Sequence, residues 1–349
     1  MFNEYLRRLW DRPASKAKLL MFVVVAGAVM TIYCLVWTMT SSHDIRTVSD
    51  SSQPVRKSQR FSLSNQINSV RQRKAYLDIQ CDAMIASGAM NMTLNVSRLS
   101  NVIVDDKYRV MYCYVPKVGC SNWKRIFLHM TGMFNKTRKG PEDIEHNEVH
   151  FKYVKRLRIL SGYSISGIYH RLRNYRKFMF VREPMERLLS AYRDKFAGVG
   201  FEDKTFQKIA KEILKRFYPD SPIKENVKKG DVTFLDFVKY LVHGKTFYDD
   251  SFEYNEHWER QSRLCYPCQV NYGFIGKYTT LEEDANYILK HTGLSKYTFP
   301  KRSVFYNASK TNDKLGNYFS EIPSFYRKRL QKLYKTDYQL FGYKFPLDL

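Results

Sequence analysis

Six residues, Lys117-Val118-Gly119-Cys120-Ser121-Asn122, lie between an apolar run and a helical repeat and are of types that hold an anion. Lys117 supplies a mobile cation, Gly119 lets backbone approach a ligand closely, and Ser121 and Asn122 place side-chain donors at a helix start. The Walker arrangement of a glycine, four residues and Gly-Lys-Ser/Thr is absent. A second constellation is Arg182 at the end of an apolar run with Ser190 on the helix that follows. One Arg and one hydroxyl so placed can grip a phosphate through charge-assisted bonds. The plainer alternatives are an ordinary strand–loop–helix connection for the first stretch and an Arg paired with Glu183 or Glu186 for the second. A third group is histidine: His146 and His150 in HNEVH and His257 in NEHW. A neutral imidazole can take the proton of a hydroxyl near pH 7, although a surface or capping role is the commoner fate of such a residue. The His146–His150 spacing is not the HExxH zinc pattern and has no evident third ligand, so no metal is expected.

These residues need elements to carry them. Val110–Val115 reads as a strand that Pro116 ends, and Trp123, Ile126, Phe127 and Met130 recur at helical spacing beyond the loop. The design repeats at 177–196, where a strand over Phe178–Val181 leads through a charged turn to a helix with Pro184 in its first position. Met185, Leu188, Leu189, Tyr192 and Phe196 form the buried stripe of that helix, and Ser190 lies on another face. Downstream, Thr233 and Asp236 form a capping box before a helix that Gly244 stops. A strand over 270–278, a helix capped at Thr280–Glu283 and a last helix over 322–336 complete the pattern. Strands alternating with helices predict a three-layer α/β domain with a central, largely parallel sheet and both anion loops at the C-terminal edge of neighbouring strands.

VPKVGCSNWKR and FVREPMERLLSAYRDKF resemble the two donor-binding signatures of the Golgi carbohydrate sulfotransferases, within the branch of the N-acetylgalactosamine 4-O- and chondroitin/dermatan 4-O-sulfotransferases. NEHW, LCYPC (264–268) and FIGKYTTLEEDANYIL (274–289) are similar to the same branch, and the resemblance runs from about Lys107 to the C-terminus. It implies that Pro116, Lys117, Val118, Gly119, Cys120, Ser121 and Asn122 hold the 5′-phosphosulfate of 3′-phosphoadenosine 5′-phosphosulfate. It further implies that the segment Arg182, Glu183, Pro184, Met185, Glu186, Arg187, Leu188, Leu189 and Ser190 holds the 3′-phosphate, with Arg182 and Ser190 as the gripping groups. His150 is the expected base because NEVH resembles a His-bearing segment of the family, with His146 the close rival and His257 third. The implied chemistry is a single in-line sulfuryl transfer, in which Lys117 and loop amides stabilise charge on the leaving phosphate oxygen. The basic residues between 152 and 176 are expected to rim the acceptor side, or else to form a solvated face.

With 349 residues, 44% hydrophobic and 15% aromatic, the chain can build a sizeable core, and its net charge of +24 attracts polyanions. The N-terminus decides among them. Arg7, Arg8, Arg12, Lys16 and Lys18 precede Leu19–Met39, 21 residues without a charge, which reads as an uncleaved anchor with a cytoplasmic tail over 1–18. Four sequons, at Asn91, Asn95, Asn135 and Asn307, agree with a single-pass type II protein of the Golgi membrane with a lumenal catalytic domain, and argue against nucleic acid. Residues 40–75 read as a flexible stem, the stem and transition together span 40–106, and the catalytic domain spans 107–349. Five cysteines beyond Cys34 allow at most two disulfides in an oxidising lumen, with the pairing open. The acceptor implied is a glycan, either an anionic glycosaminoglycan or one terminated in N-acetylgalactosamine. A Golgi glycosyltransferase would share the anchor but usually brings an Asp-x-Asp metal site, which is absent. A non-catalytic glycosaminoglycan-binding protein would not need two anion loops.

Overall fold

The computed structural model describes residues 54–134, 140–222, 226–243, 253–301 and 311–346. The expected anchor at 19–39, the sequons at Asn135 and Asn307 and the stop at Gly244 lie outside them. No helix among the described residues is long and apolar enough to cross a membrane. The compact unit runs from Gln59 to Leu349.

Five short strands form one sheet: β1 (Val102–Asp105), β2 (Val110–Cys113), β3 (Arg158–Ile159), β4 (Arg176–Val181) and β5 (Phe274–Lys277), in the order β3-β1-β2-β4-β5. β2, β4 and β5 pair in parallel. β1 runs antiparallel to both β2 and β3, so four of the five strands share one direction, and the sheet is largely parallel, as expected, with β1 reversed. The reversal has a local cause: β1 and β2 are joined by a tight turn in which Asp105 accepts the Tyr108 amide and Arg109 adopts φ 51°. A connection that short can join only antiparallel neighbours.

Ten helices frame the sheet among the described residues. They are α1 (Pro54–Ala86), α2 (Cys120–Met130), α3 (Ile165–Asn174), α4 (Pro184–Lys195), α5 (Lys204–Phe217), α6 (Phe234–Val242), α7 (Gln261–Cys265), α8 (Leu281–His291), α9 (Asn312–Ser320) and α10 (Ser324–Phe341), apart from the one-turn Pro267–Val270 segment. The sheet core is aromatic: Trp123 of α2 lies with its ring 4.5 Å from Phe178 and 5.5 Å from Phe180 of β4. Gly276 makes this packing possible, since a Cβ there would stand 2.1 Å from the Phe180 ring. A second core joins α4, α5, α6 and α10 around Phe196, Phe237 and Trp258. The Thr233 capping box is present, with Thr233 Oγ1 accepting the Asp236 amide at 3.1 Å.

Several expectations change. Residues 54–75, read as flexible, belong to α1, because Val70, Leu77 and Cys81 recur as one helical stripe and are buried on the domain. Arg73 of α1 donates to the Ile275 carbonyl of edge strand β5 at 3.3 Å and pairs with Asp284, covering an edge that would otherwise be exposed. The compact unit therefore includes β1 and the part of α1 from Gln59 onward. β2 stops at Cys113 rather than Val115, and β5 is shorter than 270–278 because Pro267–Val270 is a helical turn. Thr280 does not cap α8; its hydroxyl donates to Asp284 at 2.6 Å instead. The disulfides are Cys81–Cys268, which ties α1 to the domain, and Cys113–Cys265, and Cys120 is a buried thiol.

Candidate active site

Parallel strands β2 and β4 end side by side, so the loops that leave them are neighbours at one sheet edge. In the first loop Lys117 adopts φ 70° and Gly119 φ 76°, two left-handed residues flanking the buried Val118. A lysine in that region is strained, and such strain gathers at functional sites. Gly119 is the N-cap of α2, supplies no side-chain cap, and packs so closely that a Cβ would come within 2.7 Å of Leu281 Cδ2. The amides of Gly119, Cys120 and Ser121 find no backbone acceptor among the described residues. Three free amides at the positive end of a helix form a cradle for an anion.

The second loop meets the first directly. Arg182 is 4% exposed, and its Nη1 donates to the Lys117 carbonyl at 3.1 Å. Its guanidinium lies 4.1 Å from the Tyr278 ring centre and its Nε reaches Glu186 at 3.4 Å. The Arg182 backbone is gripped at both ends by Gln261, whose Oε1 accepts its amide at 2.9 Å and whose Nε2 donates to its carbonyl at 2.8 Å. Asp337 of α10 accepts the Gln261 and Ser262 amides at 2.7 and 2.9 Å, fixing the start of α7 and hence the clamp. Ser190 is half-buried in the second turn of α4.

The remaining positions of the two segments divide between scaffold and site. Met185, Leu188 and Leu189 are core residues, Pro184 opens α4, and Glu183 caps it by accepting the Glu186 amide at 2.6 Å. Arg187, 2% exposed, donates to the carbonyls of Pro116 at 2.9 Å, Glu259 at 2.6 Å and Glu256 at 2.7 Å, so each of its three nitrogens is tied to the scaffold. Asn122 donates to the Pro300 carbonyl at 2.9 Å and accepts from Arg125 at 2.7 Å.

The three histidines converge on the loops. His150 sits in a π-turn over Glu148–Lys152, and its Nε2 is 2.8 Å from Ser121 Oγ. The His146 ring is centred 4.5 Å from that of His150. Burial, then the charges of Lys124, His146, Lys195 and Arg125, push His150 down to about 3. Burial, then Arg125, lowers His146, and burial, then Lys195 and Lys117, holds His257 well below the usual histidine range. All three are neutral imidazoles near pH 7. The tautomer of His257 follows from its partner: Asn255 Oδ1 already accepts the His257 amide, so Nδ1–H donates to it at 2.8 Å and Nε2 is the unprotonated nitrogen. Lys117 Nζ lies 2.9 Å from Asp194, and Lys195 Nζ 3.3 Å from the same oxygen. Burial works to raise Asp194, but the two lysines outweigh it and keep the carboxyl below its usual range.

Free amides at a helix start, a clamped arginine beside them and a neutral imidazole at hydrogen-bond distance from the loop serine are groups able to bind an anion and to take a proton from a hydroxyl. Residues 100–344 match the model of the Sulfotransferase family. The chain is 36% identical over 286 residues to carbohydrate sulfotransferase 11 of Rattus norvegicus, covering 81% of this chain and 78% of that one. It is 40% identical over 249 residues to carbohydrate sulfotransferase 14 of Danio rerio, covering 71% and 63% respectively. It is also 36% identical over 286 residues to carbohydrate sulfotransferase 8 of Mus musculus, covering 80% and 64%. The chain belongs to the carbohydrate sulfotransferases. No solved structure matches it significantly. A carbohydrate sulfotransferase transfers a sulfuryl group to a sugar, and the donor of this family is 3′-phosphoadenosine 5′-phosphosulfate. The free amides, the lysines and the clamped arginine of this sulfotransferase are hydrogen-bond donors of the kind that such a polyanion requires.

Gln261, Asp337, Tyr278, Asp194, Lys195 and Asn255 had no signal of their own in the sequence. Gln261, Asp337, Tyr278 and Asp194 act through partners distant in the chain, as Asp194 does with Lys117, 77 positions away, whereas Asn255 and Lys195 act on near neighbours, His257 and Asp194.

Proposed function

We propose that this carbohydrate sulfotransferase sulfates O-4 of N-acetylgalactosamine in chondroitin or dermatan, within the Golgi lumen, held there by residues 19–39. The observation that carries the assignment of roles is the contact of the two loops, Arg182 Nη1 on the Lys117 carbonyl, with His150 on the serine of the first. Lys117 and the amides of Gly119, Cys120 and Ser121 hold the phosphosulfate and stabilise charge on the leaving phosphate oxygen. Arg182 and Ser190 hold the 3′-phosphate, which fixes the orientation of the donor. His150 takes the acceptor proton at Nε2, where Ser121 Oγ sits in the free enzyme. Its low basicity in the free enzyme comes first from burial and then from Lys124, His146, Lys195 and Arg125, which repel the added proton. Negative charge held among those cations offsets the repulsion and raises the ring's basicity when transfer begins. His146, whose ring is 4.5 Å away, is the nearest substitute.

Lumenal placement is supported by the two disulfides and by the surface exposure of Asn91 and Asn95. A polymeric anionic acceptor is supported by the net charge of +24 and by Lys155 and Arg156, which are exposed beside the His150 turn. The test is a panel of desulfated chondroitin, desulfated dermatan, heparosan and a short oligosaccharide ending in N-acetylgalactosamine, with radiolabelled donor and disaccharide analysis. Label at O-4 in the polymers, with a KM that rises with salt, is the expected result. Label only at a 6-hydroxyl or on glucuronic acid contradicts the assignment, and label only on the oligosaccharide contradicts the polymer.

A further inference from the structure

A carboxylate, Asp194, stands on the lysine of the first loop. Asp194 Oδ2 takes both Lys117 Nζ at 2.9 Å and Lys195 Nζ at 3.3 Å. The side chains are 16%, 25% and 16% exposed for Lys117, Asp194 and Lys195, so water screens the trio only in part. Lys195 is braced besides, its Nζ lying 4.6 Å from the Phe206 ring centre. The backbone makes room for the acid: a Cβ on Gly200 would stand 2.7 Å from Asp194 Oδ1 and 2.9 Å from Lys195 Cδ. A carboxylate with its charge on the loop lysine resembles, in position and sign, the ligand that the loop is shaped to hold.

We propose that Asp194 is an internal counter-ion of the donor site, which holds Lys117 and Lys195 in the free enzyme and yields both cations to the donor's phosphosulfate. The inference rests on the assignment of Lys117 to the donor. Its consequence is specificity. A small monoanion cannot match the carboxylate already in place, whereas a multiply charged phosphosulfate can, so Asp194 filters the anions that settle on the loop. The same pairing weakens donor binding, because each donor must displace a half-buried ion pair before it gains the lysines.

The experiment reads the sign of a change in affinity. Asp194→Asn, with Asp194→Ser as a second variant, is compared with the parent for adenosine 3′,5′-bisphosphate and for inorganic sulfate by calorimetry. The account expects both ligands to bind more tightly, the bisphosphate by about five- to thirtyfold, as loss of a competing interaction of one or two kcal/mol implies. The gain should shrink when Lys117→Ala is added and vanish when Lys195→Ala is added as well, and the exposed-surface control Glu202→Gln should change affinity less than about twofold. Unchanged or weaker binding in folded Asp194 variants overturns the counter-ion, as does an equal gain in the Glu202 control. Failure of both Asp194 variants to fold overturns it too, because the carboxylate is then a scaffold group. If Lys117→Ala alone leaves bisphosphate affinity intact, the donor-site assignment itself falls.

Discussion

Arg187→Met should cost the fold, not merely the ligand. The guanidinium is 2% exposed and bonds three carbonyls, at Pro116, Glu259 and Glu256, so it joins the start of the donor loop to the segment that carries His257. Methionine fills much of the same space but donates nothing. Each carbonyl left unpaired costs about 1–3 kcal/mol, and no water reaches them easily. Burial also pulls the Arg187 pKa down, a sign that the charge itself is costly in place, and its removal returns part of the loss. The net destabilisation works out at about 3–5 kcal/mol, a large share of the roughly 5–15 kcal/mol available to a folded domain. For a unit running from Gln59 to Leu349, with an unfolding entropy of about 2.1 cal/mol/K per residue, the melting temperature should fall by roughly 5–8 °C. Circular-dichroism melting and calorimetric titration with adenosine 3′,5′-bisphosphate, both below the new melting point, separate the effects. The expected outcome is a large loss of stability with affinity largely kept at low temperature. A variant that melts within about 2 °C of the parent yet no longer binds nucleotide would refute the reasoning and return Arg187 to the ligand.

Stability should fall with acidity below about pH 6.5. His150 is pushed down to about 3, and His146 and His257 are lowered from 6.5 as well, so across that window the unfolded chain binds protons that the folded rings refuse. Their contribution is present above pH 6.5 and lost below it, and His150→Gln should flatten the denaturation free energy between pH 7 and 5; an unchanged slope contradicts the burial. His150→Ala should keep nucleotide binding and lose turnover by about 10²–10⁴-fold, read by steady-state kinetics beside calorimetry. If His146→Ala loses turnover instead, the two roles exchange. A fragment starting at Gln59 should fold, and one starting at Lys107 should not, since it lacks β1 and the Cys81–Cys268 bridge and leaves the β5 edge uncovered. Equal solubility and equal melting of the two fragments would contradict the packing of α1.

The legible features were the local ones. A strand stopped by Pro116, a glycine-bearing loop and an amphipathic helix are written in consecutive residues, and so are Arg182 at a strand end and the capping box at Thr233. β1 was not, because four residues, Val102–Asp105, are too short a run to announce a strand or its direction. The part of α1 over 54–75 reads as flexible because an apolar position such as Val70 is diluted there among polar residues that suit a flexible segment as well. Arg182 and Arg187 are five residues apart in the same kind of sequence. Only the tertiary fold separates them, by sending three carbonyls to one and a tyrosine ring and the donor loop to the other. The gathering of His146, His150 and His257 around Lys117, Lys195 and Asp194 is likewise a product of topology, which brings the strand ends together before any motif can act.

The central claim is that the two loops together hold one nucleotide by both of its phosphate ends, with Arg182 on the 3′-phosphate. It is tested most directly by the affinity ratio of adenosine 3′,5′-bisphosphate to adenosine 5′-monophosphate, measured by calorimetry for the parent and for folded Arg182→Ala. The parent should prefer the bisphosphate strongly, and the variant should lose about 1.5–3 kcal/mol of that preference while its affinity for the monophosphate changes little. An unchanged preference in the variant, or equal losses for the two nucleotides, would contradict the claim.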